Sequence, residues 1–271
     1  MEQILENIKK LNPIVHCITN FVTVNDCANI ILACGASPTM ASHPEEVEDI
    51  TACSNSLVLN MGTVSDVEAM ILAAKKSNQV SHPVVFDPVG VGASQLRKDV
   101  FARISSEAHL DVVRGNVSEI KQIATGYSQS KGVDAGVGDQ ISEHNVKEIA
   151  QMAVNLSKKM QNIIVISGPI DIITDGITTY LVRNGHEMMP KITGSGCMST
   201  ALIGAFCAGN PDDLLMASLM AVVTMGISGE KAYGKTIQNQ GGTMTFRMYM
   251  MDEVSLMTWE KLQGGMCIEK L

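Results

Sequence analysis

The sequence predicts an α/β fold with a mostly parallel central sheet and helices on both faces. Short, nearly continuous apolar runs recur at SLVLNMG (56–62), PVVFDPVG (83–90), DVVRGN (111–116) and NIIVISG (162–168), as strands buried on both faces require. Stretches with helical periodicity lie between them, and this alternation favours parallel strands joined by covering helices. Apolar residues make up 45% of the 271-residue chain and aromatic residues only 4%. The core is therefore built from Ala, Val, Ile, Leu and Met, which suits closely packed helices on a sheet.

Taken in order, PIVHCITN (13–20) reads as a weaker first strand, and 23–34 and 44–54 as the helices that follow it. Helices are expected at 65–78 and 95–109 after the next two strands, and at 118–125 and 142–160 around the last pair. Lys131–Gly138 (KGVDAGVG) has the composition of a mobile loop. Residues 171–176 and 178–185 read as a hairpin. After Gly196 the chain reads as wholly helical, over 197–208, 212–228 and 243–257. No linker, low-complexity tract or repeat interrupts the chain, so residues 1–271 are expected to form one domain.

Bulk properties exclude several classes. The net charge is −8 and no dense Lys/Arg stripe occurs, which argues against nucleic-acid binding. The seven cysteines, at 17, 27, 34, 53, 197, 207 and 267, form no CxxC pair, so neither a disulfide framework nor a zinc site is favoured. A reducing cytoplasm fits. The N-terminal MEQILENIKKLNP is amphipathic and lacks a secretory apolar region. The apolar run Leu214–Ser228 is shorter than the ~18 residues of a membrane span and reads as a buried helix, so no membrane partner is expected.

The strand ends carry the polar residues: Asn20, Asn60, Asp87, Arg114 to Asn116, and Ser167. Ligands of open parallel sheets bind beyond the carboxyl ends of the strands, so these distant groups should converge on one edge. Asp87 is followed by Pro88, which holds the turn, and its carboxylate is suited to magnesium. Glu119 follows Asn116 by three residues at a helix start, a pattern that capping alone would also produce.

The stretch TGSGC (193–197) is a glycine-rich turn opening a helix, and its free N–H groups would form an anion hole. Cys197 would sit in the first turn, where the helix field lowers a thiol pKa. Three roles stay open on spacing alone: small core residue, covalent nucleophile, or base toward a substrate hydroxyl. A second glycine pattern, GEKAYGKT (229–236), matches the P-loop sequence but lacks the strand before it and the helix start after it.

Four motifs in register resemble the hydroxyethylthiazole kinase family: HCITNFVTVNDCAN (16–29), VFDPVGVGAS (85–94), VRGNVSEI (113–120) and TGSGCMSTALIGAF (193–206). The resemblance runs from about residue 4 to residue 258. It implies a ribokinase-like fold and ATP-dependent, magnesium-assisted phosphorylation of 4-methyl-5-(2-hydroxyethyl)thiazole, a salvage step toward thiamine. It implies that Gly194 and Gly196 frame the hole for the transferring phosphoryl group. Cys197 would stand where most ribokinase-like enzymes carry a catalytic Asp. Arg114, Asn116, Ser167 and Glu119 would lie on the ATP side, with Asp87 and Glu119 organising magnesium. Asn20, Val22, Met40 and Gly194 would line the thiazole pocket. A homotrimer with sites at subunit interfaces is also implied. Ser195 and Ser167 replace the threonines the family pattern leads one to expect, keeping the hydroxyl and losing a methyl. The alternatives are a related kinase of another vitamin-precursor alcohol such as hydroxymethylpyrimidine or pyridoxal, a hydrate-repair dehydratase, a P-loop enzyme using Lys235, and a non-catalytic sensor.

Overall fold

The computed structural model describes residues 1–127 and 141–271; the loop expected at Lys131–Gly138 lies outside these residues. The parallel part is laid down first. Helix α1 (Glu2–Leu11) precedes β1 (Ile14–Ile18), α2 (Val24–Cys34) and β2 (Ser37–Thr39). Then come α3 (Val47–Ala52), β3 (Ser56–Asn60), α4 (Val67–Gln79), β4 (Val84–Asp87) and α5 (Gln95–Glu107). Strand β5 (Val112–Asn116) runs directly into α6 (Val117–Thr125), and α7 (Val146–Met160) leads into β6 (Ile163–Ser167). The expected hairpin is present as β7 (Asp171–Thr174) and β8 (Thr179–Val182). It is followed by α8 (Ser195–Gly209), α9 (Leu214–Gln238), α10 (Thr243–Ser255), α11 (Trp259–Gly265) and β9 (Ile268–Lys270).

Among the described residues the strands form one sheet in the order β2-β1-β3-β4-β5-β6-β7-β8-β9. Neighbours from β2 to β6 are parallel, and β7, β8 and β9 add on antiparallel. The order reverses at β1, whose two neighbours are β2 and β3. The carboxyl ends of β1 and β3 therefore flank the crevice where sheets of this kind bind ligands.

Successive side chains alternate between two cores. In β3, Val58 joins α1, α2, α8, α9 and α10 on one face, while Leu57 and Leu59 join α4 to α7 on the other. This alternation within an unbroken apolar run is what makes each strand continuously hydrophobic.

Two expectations are corrected and one element is added. Residues after Gly196 are not wholly helical: β9 pairs with β8 at the sheet edge. Strand β2 is an additional edge element of three residues, and its Pro38 is tolerated there because an edge strand has an unpaired side. The helix expected to stop at 228 continues to Gln238. Gly226 and Gly229 are packing points and not stops: a Cβ on Gly226 would lie 2.8 Å from the Asn184 backbone, and one on Gly229 would lie 2.6 Å from Met189 Sδ. At 25 residues α9 is long and apolar enough to cross a membrane, yet 72% of its most apolar window is buried within the protein, as in a core helix. The P-loop pattern lies inside this continuous helix, and Lys235 Nζ pairs with Glu253 Oε1 at 2.5 Å. No phosphate-wrapping loop exists there.

Candidate active site

The polar strand ends do converge. Parallel register sets Asn60 beside Asp87 and Asn116 beside Ser167, and α8 begins over the same edge. Helix α8 is capped by Gly194, whose φ of 83° is left-handed and whose lack of a side chain leaves the first-turn N–H groups without a side-chain acceptor. A Ser or Asp cap would consume one of those donors. An open turn of this kind can donate hydrogen bonds from its N–H groups to an anion. Gly194 also has no room for substitution, since a Cβ would meet Thr23 Cγ2 at 2.7 Å.

Arg114 and Asp87 lie beneath this turn. Arg114 donates from Nη2 to Ser167 Oγ at 2.7 Å, and its Nη1 is 3.8 Å from Asp87 Oδ2. Asp87 Oδ2 also accepts from Thr200 Oγ1 at 2.7 Å and from Asn60 Nδ2 at 3.0 Å. Its Oδ1 and the Nε of Arg114 are buried with no protein partner. Buried polar atoms are normally paired, so each calls for an explanation such as a missing ion or ligand. Burial pushes the Asp87 carboxyl up, while Arg114, Thr200 and Asn60 pull it back.

Glu119 braces the other side. Its Oε2 accepts from Asn116 N at 2.7 Å, and Asn116 Oδ1 accepts from Glu119 N at 3.0 Å, which is a complete capping box. Its Oε1 reaches Gly90 N at 2.8 Å and so ties the turn after β4 to the start of α6. Both oxygens thus already accept a backbone N–H, whereas Asp87 keeps one oxygen unpaired. Burial, and then the charge of Asp87, pushes Glu119 up to about 7.

Cys197 faces the crevice between β1 and β3. Its Sγ accepts from Asn20 Nδ2 at 3.4 Å and from Asn60 Nδ2 at 3.3 Å. Asn20 Nδ2 also reaches Asn60 Oδ1 at 2.9 Å, which closes a three-residue cluster. The expectation of a lowered thiol pKa is overturned. Burial pushes the thiol up and the nearby Asp87 charge adds to it, outweighing the hydrogen bonds from Thr23, Asn20 and Asn60. Cys197 is therefore a neutral thiol at neutral pH, and no histidine hydrogen-bonds it among the described residues.

The remaining expected residues sit at the same edge. Val22 follows Asn20, donating its N–H to Asn20 Oδ1 at 3.1 Å, and its side chain is exposed. Met40 follows β2, half-buried against the α2–α8 core. Sequence reasoning missed Thr200, which lies one turn beyond Gly196 on α8, and it missed Arg97. Arg97 ties two loops together, donating to the carbonyls of Met61 and Gly62 after β3 and of Val89 after β4, the last at 2.7 Å. Helical spacing from the glycine turn was a usable signal for Thr200; nothing in the sequence pointed to Arg97. Among the described residues no group of three or more His, Cys, Asp or Glu is arranged to hold a metal.

This nine-stranded, mostly parallel sheet with helices on both faces defines a ribokinase-like α/β protein. The model of the hydroxyethylthiazole kinase family matches residues 5–260. A hydroxyethylthiazole kinase from Clostridium acetobutylicum is 45% identical, with 98% of this chain and 97% of that protein covered. One from Methanobrevibacter smithii is 44% identical, with 99% and 94% covered. The solved structure of the hydroxyethylthiazole kinase protein from Pyrococcus horikoshii OT3 superposes with a TM-score of 0.88 at 32% identity, covering 100% of this chain and 98% of that one. A Staphylococcus aureus pyridoxal kinase in complex with AMP-PCP shares the fold, with a TM-score of 0.60 at 13% identity over 78% of this chain and 85% of that one. The chain belongs to the hydroxyethylthiazole kinase family.

Proposed function

We propose that this protein transfers the γ-phosphoryl group of ATP in line to the hydroxyl of 4-methyl-5-(2-hydroxyethyl)thiazole, a salvage step toward thiamine. Family membership supplies the substrate. The observation that carries the chemistry is the uncapped start of α8 standing over Arg114 and Asp87, each with one buried polar atom unpartnered. Phosphoryl transfer needs positioning and charge stabilisation more than covalent help, and these groups provide both.

In this reading the N–H groups of the Gly194–Cys197 turn hold the transferring phosphoryl oxygens. Arg114, held by Ser167, neutralises phosphate charge, and Asn116 lies beside them on the ATP side. Asn20, Val22, Met40 and Gly194 line the thiazole pocket, which puts the acceptor hydroxyl near Cys197. A neutral thiol is a poor proton acceptor, so Cys197 contacts and orients the hydroxyl and makes no covalent bond to phosphorus.

The residues fit magnesium. Asp87 offers an unpaired buried oxygen, which suits a cation whose other ligands are nucleotide phosphates and water, and Glu119, with both oxygens already accepting backbone N–H groups, lies close enough to feel its charge. When bound, magnesium would neutralise phosphate charge; Asp87 would hold it, and Glu119 would brace the loop of Gly90.

The assembly we propose is a homotrimer with sites at subunit interfaces, formed by residues 1–271 as one kinase domain. A groove of about 580 Å³ between α2 and α10 supports it, with Leu32, Met244 and Met248 exposed along it. Phe21 and Val22, just before α2, are exposed as well. The free thiols of all seven cysteines support a cytoplasmic location. The test is product analysis. Magnesium-ATP and the thiazole alcohol should yield ADP and a phosphate monoester of the alcohol in equal amounts. ADP without the ester would contradict the reading.

A further inference from the structure

We propose that Asn60 is a positioning residue that sets Cys197 and Asp87 together, a proposal that rests on the kinase reading of the site. Asn60 ends β3 and is 1% exposed. A carboxamide has two donor hydrogens and an acceptor oxygen with two lone pairs, and here all are used. Its Oδ1 accepts from Gly62 N at 2.9 Å and from Asn20 Nδ2 at 2.9 Å. Its Nδ2 donates to Asp87 Oδ2 at 3.0 Å and to Cys197 Sγ at 3.3 Å.

The acceptor half fixes which way the amide faces, because a backbone N–H and a second amide both demand the oxygen. The donor half is therefore aimed at the two reacting-centre groups. Toward Asp87 it joins Thr200 and Arg114 in holding Oδ2, so the oxygen left without a partner is Oδ1. Toward Cys197 it pins the sulfur from the β3 side while Asn20 pins it from the β1 side. One amide spans the crevice at the strand-order reversal and touches a residue assigned to the thiazole, one assigned to the cation, and Cys197.

Asn60→Asp separates the two halves. The variant is nearly isosteric and keeps the oxygen that serves Gly62 and Asn20. It replaces the donor by a second acceptor facing Asp87 and the sulfur. We expect kcat to fall at least a hundredfold, with KM for ATP and for the thiazole alcohol each within threefold of wild type. Calorimetric affinity for a non-hydrolysable ATP analogue without magnesium should also stay within threefold. In a double-mutant cycle with Cys197→Ala, the combined loss in kcat should be at least fivefold smaller than the product of the single losses, since residues acting as a unit are not additive. Should Asn60→Asp fail to fold, Asn60→Ser carries the same test, with an expected loss in kcat of about tenfold. Losses that multiply in the cycle, or a rise in KM with kcat retained, would overturn the proposal. A wild-type protein that forms no thiazole phosphate would refute the kinase reading itself, and this inference with it.

Discussion

Gly196 and Arg114 are in such close apposition that a Cβ on the glycine would lie 2.8 Å from the guanidinium Nη1. The absent side chain is the space into which the arginine fits beneath the helix start. Gly196→Val should reduce kcat/KM by about a hundredfold or more, on the scale of losing one preorganised stabilising group. Steady-state kinetics on a variant shown by circular dichroism to be folded checks this, and near-normal turnover would misplace the anion hole.

Two amide N–H groups already converge on Cys197 Sγ, from Asn20 and Asn60. A carboxylate there would accept both. Cys197→Asp should therefore remain active, with kcat at or above wild type. Cys197→Ala should retain activity with a loss of at most about a hundredfold, since a neutral thiol that only orients the hydroxyl contributes less than a general base, which typically supplies ~10²–10⁴-fold. A folded but inactive Asp variant would contradict the account.

Glu119 is raised from its ordinary 4.5 to about 7 in the folded protein. The folded state thus keeps this proton over a pH range where the unfolded chain has released it. The contribution of Glu119 to stability is present below pH 4.5 and is lost as pH rises toward 7. Without nucleotide, the melting temperature of Glu119→Gln minus that of wild type should increase by several degrees between pH 5 and pH 8. Thermal melts across this range measure it; a flat or falling difference would show that Glu119 is ionised throughout.

The folded geometry denies Lys235 a phosphate-binding role, because it lies within α9 and pairs with the buried Glu253. Lys235→Ala should change kcat and KM by less than about threefold, while loss of a partner for a buried carboxylate lowers the melting temperature. Loss of ATP binding would restore the P-loop reading.

The strand ends were legible because sheet topology does the gathering. Once the runs at 56–62, 83–90, 111–116 and 162–168 are parallel strands, Asn60, Asp87, Asn116 and Ser167 must share an edge. The capping box of Asn116 and Glu119 was legible because it depends on three residues of local spacing. What stayed hidden depends on tertiary contact. The extension of α9 past Gly229 follows from packing that compensates glycine's low helix propensity. The raised Cys197 thiol follows from burial and from Asp87, which is 110 positions away in the chain, and these override the local helix field. The Asp26–Arg247 ion pair joining α2 to α10, and the Arg97 clamp, are side-chain geometries with no periodic signature. Three-residue edge strands such as β2 and β9 carry too little pattern to stand out.

The central claim is the identity of the acceptor, and the most direct measurement is ADP release from magnesium-ATP with one alcohol supplied at a time. The account predicts release with 4-methyl-5-(2-hydroxyethyl)thiazole, with the phosphate ester confirmed by mass, and only background with hydroxymethylpyrimidine, pyridoxal or no acceptor. Release that is equal without any acceptor, or that is faster with another alcohol than with the thiazole, would contradict it.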